Sequence, residues 1–236
     1  MREPAEIVKE LEAHAELPPG SEERFFGYGV MGLPFKSGHL LGLRRFPASS
    51  IGPGYRSVWH RAPDGRWTFY QDQPPEMACT RYFGDEVDEV REGPIEIEWT
   101  GPRALAVRAG DLEWAMELSS TAVTRLMSGV ASHLPYRAWR SPALLGAMSR
   151  IAGPALGAGQ LRLEGLAPNG QRFHASPRAI WVATRATGAI GGADLGEMGP
   201  APQQARLRDF AIPQRGLFAV AGGYFTTGAD REVSPS

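Results

Sequence analysis

Lysine is almost missing from this chain: of 25 basic residues only Lys9 and Lys36 are lysines, the rest being arginine. With 29 glycines and 20 prolines, that bias reads as the mark of a GC-rich bacterial genome rather than of a binding role. Cysteine is scarcer still. The one thiol, Cys79, excludes an internal disulfide and, by itself, a zinc site, which fits a reducing compartment. No run of about 18 apolar residues occurs, so no membrane-spanning helix is expected. The opening M-R-E-P-A-E-I-V-K-E-L-E is charged where a secretory signal would be apolar, and the expected address is cytoplasmic. A net charge of −1, evenly spread, lacks the clustered basic surface that nucleic acid requires.

What is present belongs to a folded globular chain, with 42% hydrophobic and 22% charged residues over 236 positions, enough for one β domain with a real core. Residues 1–20 read as a helix and linker, because Pro4 precedes a short stripe of Ile7, Val8 and Leu11 and the P-P-G at Pro18 to Gly20 stops it. Residues 21–227 read as a single mainly β domain, and 228–236 as a loose polar tail. Strands are expected in R-F-F-G-Y-G-V-M-G, H-L-L-G-L-R-R-F, M-A-C-T-R-Y-F near residue 80, and P-I-E-I-E-W-T, R-A-L-A-V-R and L-E-W-A-M-E-L between 94 and 118. The last three alternate apolar with charged residues, as an antiparallel meander with one wet face does. After Gly159 a hairpin around P-N-G, the strand R-A-I-W-V-A-T, A-R-L-R-D-F and G-L-F-A-V-A-G-G-Y-F close the domain.

Residues 121–153 interrupt the β rhythm with two short helices. The first places Val123, Leu126, Met127, Val130 and Leu134 on one expected apolar face behind a Ser/Thr cap. The second is capped by Ser141, carries Pro142 at its first position and offers Leu144, Leu145, Met148 and Ile151. They could plug one end of a barrel or form a lid, with Met127 and Met148 against an apolar ligand.

The stretch Y-R-S-V-W-H-R-A-P-D-G-R-W-T-F-Y-Q-D (55–72) reads as a hairpin. A three-residue P-D-G loop pairs Arg56 with Asp72, Val58 with Tyr70 and His60 with Thr68, and puts Ser57, Trp59 and Arg61 opposite Gln71, Phe69 and Trp67. One face then carries Trp59, Trp67 and Phe69, a candidate ligand wall. The other gathers Arg56, His60, Tyr70 and Asp72, which form either a solvated strand face around a weak ion pair or, if turned inward, an acid-base group.

Other candidates are weaker. His39, His60 and His174 lack metal-ligand spacing, so no metal is expected. Cys79 reads as a small buried hydrophobe, and G-Y-G-V-M-G at Gly27 to Gly32 as a bending strand rather than a nucleotide loop. No Gly-x-Ser-x-Gly elbow, P-loop or zincin motif occurs.

Antiparallel strands joined by hairpins, glycine bends, inward aromatics and a helical insert together resemble the lipocalin-like (calycin) barrels, broadly the superfamily of carotenoid hydratases and tocopherol cyclase, over residues 24 to 226. The resemblance implies a lipocalin-like barrel, or two packed curved sheets. It also implies a hydrophobic ligand of isoprenoid, lipid or polyketide type and hydration or cyclisation without a cofactor. Whether the chain is an enzyme stays open. The W-T-G-P at Trp99 to Pro102 resembles a strand end of the acetoacetate decarboxylases, which implies, as an alternative, a Schiff base on Lys36. A third reading is a filled barrel whose surface serves a partner or a homodimer.

Overall fold

A computed structural model describes residues 2–226. The protein is mainly β: a curled half-barrel sheet, a small second sheet, an N-terminal helix and a helical insert. Helix α1 (Pro4–His14) leads into β1 (Glu23–Pro34), β2 (Leu40–Ser49), β3 (Tyr55–Arg61) and β4 (Trp67–Gln71). The short helix α2 (Thr80–Phe83) precedes β5 (Glu89–Glu92), β6 (Ile95–Gly101), β7 (Ala104–Ala109) and β8 (Leu112–Ser119). Helices α3 (Ala122–His133) and α4 (Pro142–Leu156) follow, then β9 (Glu164–Leu166), the long β10 (Arg172–Ile190), β11 (Ala193–Asp194), β12 (Arg206–Leu207), β13 (Phe210–Ala211) and β14 (Leu217–Thr226). The main sheet runs β5-β4-β3-β2-β1-β14-β10-β8-β7-β6, with β9 and β11 also on β10, while β12 and β13 pair only with each other.

Curling brings the two ends of that sheet together. Val30, Leu43, Val58 and Tyr70 from one end share a core with Leu105, Val107, Trp114 and Met116 from the other, over Trp181 and Phe218 in the middle. Tyr70 Oη donates to Asp111 Oδ1 at 2.9 Å, clasping β4 to the β7–β8 turn. Ile7, Val8 and Leu11 of α1 close this core, and Glu12 holds the helix in place by accepting from Tyr28 Oη at 2.8 Å and pairing with Arg45 at 2.6 Å. The concave interior is therefore filled with side chains.

The convex face is covered by other elements. A bulge between Pro177 and Ala179 in β10 leaves Arg178 out of the ladder with β14, and the ladder with β8 begins only at Val182, so the N–H of Ile180 has no strand partner on that side. Ile180 N–H donates to Ser128 Oγ of α3 at 3.0 Å. Arg178, the extra residue, reaches the carbonyls of Ala131 and Leu134 at the end of α3 at 3.2 and 2.7 Å, the end where a cation is favoured. These contacts pin α3 to the sheet. Helix α4 starts at Ser141, whose Oγ accepts from Leu144 N, and ends at Gly157 with φ +61°, the left-handed stop that glycine adopts without penalty.

The 55–72 hairpin has the expected register, Val58 opposite Tyr70 and Trp59 opposite Phe69, with Gly65 at φ +100°. The helical insert, the 94–118 meander and the P-N-G hairpin also form where expected. Four expectations are corrected. M-A-C-T-R-Y-F is a helical turn around α2, since Ala78, Cys79, Tyr82 and Phe83 all insert into one core, which a strand with its alternating faces could not do. A-R-L-R-D-F folds back on itself as β12–β13 because Arg208 takes φ +49°, stabilised by its N–H on Glu86 at 2.8 Å. One pair in the sheet, β4–β5, is parallel. Finally, α3 buries Thr124, Ser128 and Ala131 and leaves Leu126 and Val130 70% and 53% exposed, since Ile180 N–H holds the helix by Ser128 and Arg178 holds it by its last carbonyls. The tail expected from residue 228 lies outside the described residues.

Candidate ligand site

The four polar residues of the hairpin share the concave side of the sheet but do not converge. Arg56 and Asp72 pair at 2.9 Å, and Asp72 Oδ1 also accepts the Arg56 backbone N–H at 2.7 Å. Tyr70 is committed to Asp111, with Arg91 against its hydroxyl at 3.2 Å. His60, 5% exposed, lies 2.9 Å from His39 with the rings stacked. Burial, and then the neighbouring imidazole, depress its pKa to about 4, so it is neutral at pH 7. His174 is apart from these, stacked on Tyr224 with ring centroids 4.3 Å apart, and lines the smaller of two cavities on the other side of the sheet. Lys36 is on the surface, paired with Glu197 at 2.6 Å, where it lacks the desolvation that would activate an amine.

The convex side carries two mostly apolar cavities. They adjoin each other between the sheet and its cover, about 80 and 110 Å³ in volume, and Met31, Ala175, Phe210, Ala219 and Ala221 line both. Their floor exists because the sheet is bare there. Gly27 pairs with Ala221, Gly29 with Ala219 and Ala175 with Gly223, so one face of three neighbouring strands presents almost no side chain. Neither Gly27 nor Gly29 can be larger, since a Cβ would stand 2.0 Å from the carbonyl oxygens of Arg45 and Leu43.

Met127 of α3 and Met148 of α4 line the larger cavity with Ala152, Leu156 and Leu161. Trp59 lines the smaller one with Phe46, Phe83, Phe173 and Phe225. Trp67 and Phe69 do not reach it: Phe69 stacks behind Trp59 at 4.5 Å and Trp67 meets both rings edge-on.

Two arginines line this apolar space: Arg162 at the larger cavity is half-exposed and paired with Asp209 at 3.1 Å, whereas Arg44 is buried. Arg44 is 4% exposed and lines the smaller cavity, with its guanidinium carbon 4.5 Å over the Trp59 ring and 5.7 Å from the Phe210 ring. A bulge between Val30 and Leu33 in β1 turns carbonyls toward it. Nη1 donates to Val30 O at 2.5 Å and Leu43 O at 2.9 Å, and Nη2 to Met31 O at 3.3 Å. Among the described residues no carboxylate pairs with it. Burial lowers its pKa to about 10, which leaves it charged at pH 7. Beside it, Tyr55 Oη and Cys79 Sγ stand 3.4 Å apart, both buried, and burial raises the pKa of each.

Arg44 escapes a reading from sequence because L-R-R-F offers two adjacent arginines, and exposure is the default for both. The usable signal is alternation. With Leu41 and Leu43 on the concave face, Arg44 must lie on the other, across from Ser57 and therefore on the aromatic side of the hairpin.

The chain matches no protein-family model, and no curated protein matches it.

Proposed function

We propose that this protein binds a hydrophobic small molecule, of isoprenoid, lipid or polyketide type, in the space between the outer face of its half-barrel and the cover made by α3, α4 and the β12–β13 hairpin. The observation that carries this reading is the bare strip of Gly27, Ala175, Ala219 and Ala221 beneath an aromatic and methionine wall. Cores pack at the density of organic crystals, so adjoining apolar cavities in a small domain are a costly feature unless something fills them. Methionines on the roof suit a cover that must adjust to its contents. The site differs from a lipocalin-type interior in being on the convex face, the concave one being filled.

Binding is the activity this arrangement supports. His60, Tyr70, Asp72 and Arg56 lie on the opposite side of the sheet, and Lys36 is on the surface, so hydration, cyclisation or Schiff-base chemistry at this cavity draws nothing from them. Mass spectrometry of an organic extract of freshly purified protein tests the reading. A defined apolar compound near one-to-one supports it. If no compound co-purifies and none from a panel of fatty acids, fatty alcohols, isoprenols and aromatic polyketides shifts the intrinsic tryptophan fluorescence on titration, the reading fails.

A further inference from the structure

We infer that the ligand carries a carboxylate, and that Arg44 receives it. The inference rests on the binding reading above and names the ligand's head. A guanidinium has five N–H donors in a planar fork. Three of them go to the carbonyls of Val30, Leu43 and Met31, which uses both Nη1 hydrogens and one on Nη2. No described residue accepts from Nε–H, and Nη2 has a single, long contact at 3.3 Å, so donors remain along the Nε–Nη2 edge of the plane. That edge is the geometry that holds both oxygens of a carboxylate at once.

The surroundings agree. A buried cation without an anion is expensive, and here the carbonyls satisfy hydrogen bonds without cancelling charge. The groups at this end of the cavity, Arg44, Tyr55 and Cys79, are polar, whereas Met31, Ala175, Phe210, Ala219 and Ala221 lead away from them toward Met127 and Met148. The chemistry that fits is an anionic head on an apolar body: a fatty acid, or an isoprenoid or aromatic acid of similar length. The Trp59 ring against the guanidinium face holds the plane in position for that edge-on contact.

The test compares dodecanoic acid with dodecan-1-ol and methyl dodecanoate on the full chain, by calorimetry or tryptophan fluorescence. The acid should bind at least about tenfold tighter than either neutral analogue at pH 7.5, the margin expected of a charge-assisted pair. Arg44→Met should abolish that preference while keeping affinity for the alcohol, and Arg44→Lys should restore only part of it, because a point charge cannot engage both oxygens. Equal affinity of the wild-type protein for acid and alcohol would overturn the carboxylate assignment and leave the apolar site standing. Binding of none of the three would overturn both. Should Arg44→Met not fold, the wild-type comparison alone decides.

Discussion

His39 Nδ1 and His60 Nε2 stand 2.9 Å apart with their rings nearly parallel, so one imidazole must accept from the other and protonating both sets two cations face to face. Burial and the His39 charge oppose protonation of His60 more than nearby Asp111 and Asp64 favour it, and its pKa falls to about 4; His39 is also lowered, mainly by burial. The unfolded chain takes up the His60 proton near pH 6.5. Stability contributed by the neutral pair is therefore complete above about pH 6.5, declines as pH falls and levels off near pH 4. His60→Phe should reduce that acid-induced loss by roughly 2–3 kcal/mol, allowing for the wet edge of the pair. Urea melts at pH 7.5 and 4.5 for both proteins check it; an equal loss in the variant would show that His60 titrates normally.

Filling the cavity separates ligand binding from folding. Ala219 is buried, lies on the bare strip and lines both cavities. Ala219→Leu adds apolar volume where the molecule has empty space, so stability should change by less than about 1.5 kcal/mol, while bound ligand in the solvent extract should disappear. Retained ligand with a large drop in Tm would mean that the strip is tightly packed in solution and that the ligand sits elsewhere.

The double substitution Met127→Ala and Met148→Ala removes the adaptable part of the roof. Both side chains are half-buried, so stability should fall modestly, by about 1–2 kcal/mol in total. Affinity for the apolar ligand should fall severalfold or more, read by fluorescence titration. Unchanged affinity would make the two helices a plug rather than a lid.

Much of this architecture is legible in the sequence because it is local. The P-D-G loop sets the Trp59–Phe69 and Val58–Tyr70 pairing through turn geometry alone, and the Ser141-Pro142 start of α4 is a capping signal. The site is not local. It depends on three strands far apart in the chain, β1, β10 and β14, each contributing a small residue to one face, and on a bulge that aims Met31 O and Val30 O at Arg44. Alternation identifies the two faces of the hairpin but not that both would be buried. The wall residue Trp59 and the roof residues Met127 and Met148 are readable because bulky apolar groups advertise themselves; Gly27, Ala219 and Ala221 define the cavity by what they lack.

Helix α3 shows how a tertiary contact overrides an apolar stripe, and it supplies a paired test. Hydrophobic periodicity assigns Leu126 and Val130 to the buried face, yet both are exposed, while Ser128 is buried and accepts the N–H of Ile180, which lies beyond the end of the β10–β8 ladder. Leaving that donor unpaired costs about 1–3 kcal/mol, more than is gained by burying the rim of a leucine that already keeps part of its surface covered. Ser128→Ala should therefore destabilise the protein by about 1–3 kcal/mol although it removes a single oxygen, and Leu126→Ser should stay within about 0.5 kcal/mol although it removes most of an apolar side chain. Thermal melts of the two variants measure this directly. The reverse order would place α3 with its apolar stripe against the sheet, and the floor and roof of the cavity would then no longer face one another as described.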